Sequence, residues 1–244
     1  MWIFISFAIL GIGATIAGLA IFNFNFSSVR GDIIALNTYD ISEPSNLNRI
    51  DIALEHNISL NVEMHDGTYV IVKNATTGDV GKHAYGEALS IVVFNNGGVS
   101  LWRPNLVTLK IPASFDGTLN IVQERDGRVS LEDLSVGAIN ITSRSGNILF
   151  TNVVADSLEI YAYRDSDIRI NSSRFYSVVI ENARGNNRVE LVGAAGDFTK
   201  TLIAERGNSS INGMRTITDT VGYGENVINL FAGRGNNRLY FVAP

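Results

Sequence analysis

Residues 118–191 read TLNIVQERDGRVSLEDLSVGAINITSRSGNILFTNVVADSLEIYAYRDSDIRINSSRFYSVVIENARGNNRVEL, and their spacing decides the fold. Apolar residues come in pairs two apart: Leu119 and Ile121, then, past Arg125 and a turn, Val129 and Leu131. The pattern returns as Ile139, Ile141, Arg144, Ile148 and Phe150, and again as Leu158, Ile160, Arg164, Ile168 and Ile170. A fourth unit has Val178, Ile180, Arg184, Val189 and Leu191. A degenerate fifth keeps Leu202, Arg206 and Ile211, and a sixth has Ile228, Leu230, Arg234, Leu239 and Phe241. Successive arginines lie 19, 20, 20, 22 and 28 residues apart. Alternation with period two is the mark of a strand with one buried face. Its return near every twentieth residue, with no helical segment between, predicts one coil of an all-β, repetitive β-solenoid per unit.

One strand–turn–strand unit cannot bury its own apolar row. Stacked units place Ile on Ile at the interstrand spacing of about 4.8 Å and make one continuous core. Ile121, Ile141, Ile160 and Ile180 are expected to form one ladder, with Leu119, Ile139, Leu158 and Val178 beside it. Asn120, Asn140, Glu159, Arg169 and Glu190 then face water. The turns RDGR, RSGN, RDSD, RGNN and RGNS supply the residues that tolerate left-handed backbone.

Outward from this core the order weakens. Residues 112–244 read as regular coils, and 49–111 as an irregular first part with runs such as Leu89–Ile91–Val93 and Val107–Leu109–Ile111. Residues 27–48, with SSVRGD and SEPSNLN, read as a linker. Residues 1–26 hold an uncharged run, Trp2 to Phe22, long enough as a single transmembrane α-helix to cover about 30 Å of hydrocarbon. It lacks the basic start, short apolar stretch and A-x-A-like site of a cleaved signal peptide, so a retained, single-pass anchor is expected. Gly13 with Ala17, and Ala14 with Gly18, form small-xxx-small pairs, which are equally ordinary in membrane helices.

The 244 residues carry a net charge of -5, which argues against a nucleic-acid partner. No cysteine is present, which excludes disulfides, thiolate metal sites and a cysteine nucleophile.

The stretch from Val107 to Val153 resembles the repeat of the bacterial and archaeal "putative adhesin" domain of unknown function. Val107–Pro112 matches that family's V-x-L-x-(I/V)-P entry strand, and Gly127, Gly146 and Asn147 match its turn positions. The resemblance runs from about Leu60 to the C-terminus and loosens at Gly193–Lys200 and Thr216–Glu225. It implies an envelope protein, in many relatives joined to a membrane helix, and it brings no catalytic residue with it.

Candidate chemistry is sparse. His65, between Glu63 and Asp66, offers ligands on alternate strand positions, but a zinc site needs three or four gathered in space; His56 and His83 stand apart. Glu124 with Asp126, and Asp165 with Asp167, resemble glycosidase carboxylate pairs, yet each neighbours an Arg whose stacked column needs neutralising. Tyr161 and Tyr163 face outward as a contact surface for carbohydrate or protein, or as ordinary exposed tyrosines. Sequons stand at Asn57, Asn74, Asn140, Asn171 and Asn208, with Asn74, Asn171 and Asn208 the accessible glycosylation acceptors. Leu239 and Phe241 end the chain on an apolar strand, an expected assembly edge. Together these features predict a non-enzymatic, cofactor-free, membrane-anchored interaction module on the cell surface. The alternative is a self-assembling structural subunit, with homo-oligomer or envelope-protein partners; a polysaccharide-active enzyme ranks last.

Overall fold

The computed structural model describes residues 39–41, 47–55, 57–68, 70–73, 80–94, 106–216 and 220–243. The expected membrane span at Trp2–Phe22 and most of the linker lie outside them. Among the described residues no helix is long and apolar enough to cross a membrane.

The first strands are β1 (Tyr39–Ile41), β2 (Arg49–Leu54), β3 (Ser59–His65), β4 (Val70–Lys73), β5 (Val80–Tyr85), β6 (Ala88–Val93) and β7 (Leu106–Pro112). The regular part follows with β8 (Thr118–Gln123), β9 (Arg128–Glu132), β10 (Ser135–Ser143), β11 (Asn147–Thr151), β12 (Val154–Asp165), β13 (Ile168–Arg184) and β14 (Asn187–Val192). A short 3-10 turn, Ala195–Asp197, leads into β15 (Phe198–Arg206). Then come β16 (Ser209–Ile211), β17 (Met214–Arg215), β18 (Thr220–Val221), β19 (Asn226–Arg234) and β20 (Asn237–Val242).

The chain winds between two faces. Sheet A runs, in space, β1, β4, β7, β3, β9, β11, the first part of β13, β14, β20, β16 and β17. Sheet B runs β5, β6, β2, β8, β10, β12, the rest of β13, β19, β15 and β18. From β7 to β16 on sheet A and from β6 to β15 on sheet B all neighbours are parallel, with register shifts only at Ala162/Asp165 and Ile170/Ser173, so each coil lays one strand on each face. The inner faces of both sheets share one apolar core.

The expected ladder exists and is longer than its four members. Ile91, Ile52, Ile121, Ile141, Ile160, Ile180, Leu230 and Leu202 stack in register on sheet B. None of the eight is more than 2% exposed. The row beside it runs Leu89, Ile50, Leu119, Ile139, Leu158, Val178, Ile228 and then Lys200, a lysine at a core position. Corners from sheet A to sheet B are made by single left-handed residues: Asp133 (φ 51°), Asn152 (φ 54°) and Ser172 (φ 47°). The opposite turns use glycine. At Gly185 (φ 123°) a Cβ would meet the Ser166 carbonyl oxygen at 1.9 Å, and at Gly235 (φ 145°) the Gly185 oxygen at 1.7 Å.

Coil order departs from chain order at both ends. The second coil, β6 and β7, stacks outside the first, so β2 lies against β8. The last coil, β19 and β20, inserts between β13–β14 and the earlier β15–β16 coil. This corrects the expected edge at Leu239 and Phe241. Strand β20 is bonded on one side to β14 and on the other to β16, and Leu239 is fully buried. The long connection after β16 carries the chain back past its own outer coil, which a strictly sequential reading of the repeat cannot show. Among the described residues the stack ends instead on antiparallel strands: β1 and β5 at one end, β17 and β18 at the other.

Candidate functional site: an arginine and asparagine groove

The turn sequence RGNN, at 184–187 and 234–237, builds two amide ladders of opposite direction. Parity decides which asparagine goes where. Asn187 and Asn237 are two residues before the core residues Val189 and Leu239, so they point inward, and both are fully buried. Asn187 Nδ2 donates to Asn237 Oδ1 at 2.8 Å, and Asn182 Nδ2 to Asn187 Oδ1 at 3.0 Å. Asn237 Nδ2 donates to the Ile203 carbonyl at 2.7 Å. These bonds satisfy polar groups that would otherwise weaken the core.

Asn186 and Asn236 point outward. The Asp167 carboxylate accepts from the Asn186 backbone N at 3.1 Å, and Asn186 Oδ1 accepts from Asn236 Nδ2 at 3.1 Å. Asn236 Oδ1 in turn accepts from the Asn208 backbone N at 3.0 Å.

Two residues further along sheet A, again on its outer side, Arg169, Arg188 and Arg238 are direct neighbours across β13, β14 and β20. With the amide row and Arg128 they line an open groove of about 770 Å³ that crosses five adjacent strands, β9, β11, β13, β14 and β20. Half-buried Leu149 lies on its floor. Like charges directly opposite one another on a sheet repel. Among the described residues none of these three arginines has an ion pair; Arg188 lies 5.5 Å from the Tyr240 ring centroid. The column is thus free of direct ion pairs, although Asp167 and Glu190 share its outer face, and it presents donors in planar forks that match carboxylate and phosphate oxygens. The signal was available in the sequence: each of these arginines sits between two inward residues, as Ile168–Arg169–Ile170, Asn187–Arg188–Val189 and Asn237–Arg238–Leu239.

The turn arginines behave differently. Arg184, Arg234 and Arg206 stack in register, but a shift between Ala162 and Asp165 puts Asp165 rather than Arg164 opposite Arg184. Asp165 Oδ2 is 4.0 Å from Arg184 Nη1. Asp126 accepts a hydrogen bond from the Ser145 hydroxyl. Three of the turn acids thus serve neighbouring turns: Asp126, Asp165 and Asp167. Glu124 is exposed.

Tyr163 is 64% exposed on the outer side of sheet B, and Tyr161 beside it is half-buried. The Tyr161 phenol is pushed above its ordinary range, chiefly by Glu159 and then by burial, Glu181 and Tyr163. Both tyrosines lie on the opposite face from the arginine groove. His65 Nδ1 accepts from the Gly67 backbone N at 3.0 Å, and His83 is exposed on β5. Among the described residues no three His, Asp or Glu gather as a metal-binding group. Asn208 lies in an exposed turn and Asn171 in the groove wall. Asn74 and His56 lie outside the described residues.

Two solved structures are similar to this chain. One is a "putative cell adhesion protein" from Clostridium sporogenes ATCC 15579, 12% identical, covering 84% of this chain and 98% of that one, with a TM-score of 0.48. The other is a "putative adhesin" from Bacteroides fragilis NCTC 9343, 13% identical, covering 84% and 95%, with a TM-score of 0.43. No curated protein matches. The family model described as Toastrack DUF4097 matches residues 47–202, from the first coil into β15. The chain belongs to the Toastrack DUF4097 family.

Proposed function

We propose that this protein is a non-enzymatic interaction module of the cell surface, tethered by Trp2–Phe22 and presenting the outer side of sheet A to a ligand outside the membrane. The observation that carries the reading is the in-register column Arg169–Arg188–Arg238 in an open groove. A fold gains nothing from three stacked, unpaired like charges, so their presence is best accounted for by something they bind. The rigid parallel ladder beneath them holds the side chains at fixed spacing, as a recognition surface requires.

The test uses intact cells carrying the full-length chain. Protease added outside is expected to release the coil region. Cells are expected to adhere to immobilised envelope material, with adhesion lost when Arg169, Arg188 and Arg238 are replaced by Gln. A coil region digested only after lysis, or adhesion indifferent to the three substitutions, contradicts the reading.

A further inference from the structure

We infer that the groove on sheet A binds a linear acidic polysaccharide lying across the strands, with its anionic groups on the arginine column; the inference rests on the surface-interaction reading above. Three observations point to this ligand class. Shape is the first: the groove crosses five adjacent strands, about 19 Å at the interstrand spacing, which suits an extended chain rather than a compact metabolite. Charge is the second. Arg169, Arg188 and Arg238 repeat at one per strand, so a polymer with regularly spaced anionic groups engages several of them at once, each in a bidentate hydrogen bond.

The lining beside the column is the third. The row Asn147, Asp167, Asn186 and Asn236 offers amide donors and acceptors and one carboxylate acceptor, of the kind that pair with sugar hydroxyls. Leu149 gives an apolar patch for the C–H face of a ring. A single-stranded nucleic acid would also meet the arginines, but it relies on aromatic platforms for its bases. No aromatic residue lines this groove, and Tyr240 at its margin lies against Arg188.

The experiment is calorimetric titration of the full-length chain, in detergent, with polygalacturonate, dextran sulfate, neutral dextran and oligo-dT of matched length. Binding of polygalacturonate or dextran sulfate, weakened by added salt and absent with neutral dextran, is expected. The variant R169Q/R188Q/R238Q should lose about tenfold or more in affinity, as three charge-assisted contacts imply. The pair R144Q/R164Q, exposed but off the groove, should leave affinity unchanged. Since all five side chains are on the surface, urea unfolding should show both variants folded. A triple variant that loses less than tenfold, equal binding of neutral dextran, or tighter binding of oligo-dT than of either acidic glycan overturns the inference. If no polysaccharide binds while adhesion of cells still depends on the three arginines, the ligand class is wrong and the surface reading stands.

Discussion

At the scale of single residues, neighbouring asparagines in one turn carry different loads. Asn237 is fully buried, accepts from Asn187 Nδ2 and donates to the Ile203 carbonyl; replacing it with Ala takes a buried partner from each and leaves Asn187 Nδ2 only the Phe231 carbonyl. N237A should therefore cost about 3 kcal/mol, read as a fall in the urea midpoint. Asn236, one residue earlier and partly exposed, bonds along the surface where water replaces it, and N236A should cost less than about 1 kcal/mol. Equal losses from the two would refute the inner and outer assignment. Ile160, with no exposed surface, sits mid-ladder between Ile141 and Ile180. I160D places an unpaired charge there and should cost several kcal/mol, enough to abolish the folded far-UV signal. The identities of these ladder residues were legible because period-two alternation fixes which side chains face inward. The directions of Asn186 and Asn187 obey the same parity, but GNN reads first as turn chemistry, and that masks it.

At the scale of elements, the outermost coil has to end the stack. Lys200 on β15 occupies the ladder position next to Ile228, almost wholly buried, and its ammonium donates to the Ala195 carbonyl and lies 5.7 Å from the Phe241 ring centroid. An inward charge at an end coil discourages a further apolar strand from adding there. Burial lowers its pKa below the usual lysine range, against a smaller opposing pull from Asp197. The unfolded chain then holds this proton more tightly than the folded one. Stability should rise as pH climbs from the depressed folded pKa toward the unfolded value, and the penalty is present in full below that window. K200M should raise the urea midpoint at neutral pH, flatten that alkaline rise, and increase association in light scattering. A midpoint that falls would show that the lysine stabilises its coil. The short strands β17 and β18, two residues each, finish the blunting of this end. The part played by Lys200 was not legible, since it falls where the repeat is degenerate and a lone Lys between Thr199 and Thr201 has no helical or strand signature of its own; the insertion Thr216–Glu225, which holds β18, was the segment the sequence offered as a cover.

At the scale of the whole molecule, the decisive feature is the order of the coils. Their apolar faces are nearly interchangeable, so any coil can stack on any other, and pattern alone cannot choose the neighbour. That is why the all-β stack was readable from 118–191 while the exchanges at its two ends were not. The order also makes the site. Because β20 inserts against β14, Arg238 lies beside Arg188; were β16 there instead, Ser210 would take that place and the column would end after two members. The protein has no cysteine, so engineered pairs report neighbours directly. Glu190 and Tyr240 are in register on adjacent strands, within the reach of a disulfide. Under mild oxidation the full-length E190C/Y240C variant should cross-link internally, seen as a mobility shift reversed by reductant, while E190C/N212C should not. Cross-linking of 190 to 212 and not to 240 would mean the coils stack in chain order, and would remove the arginine column together with the function built on it.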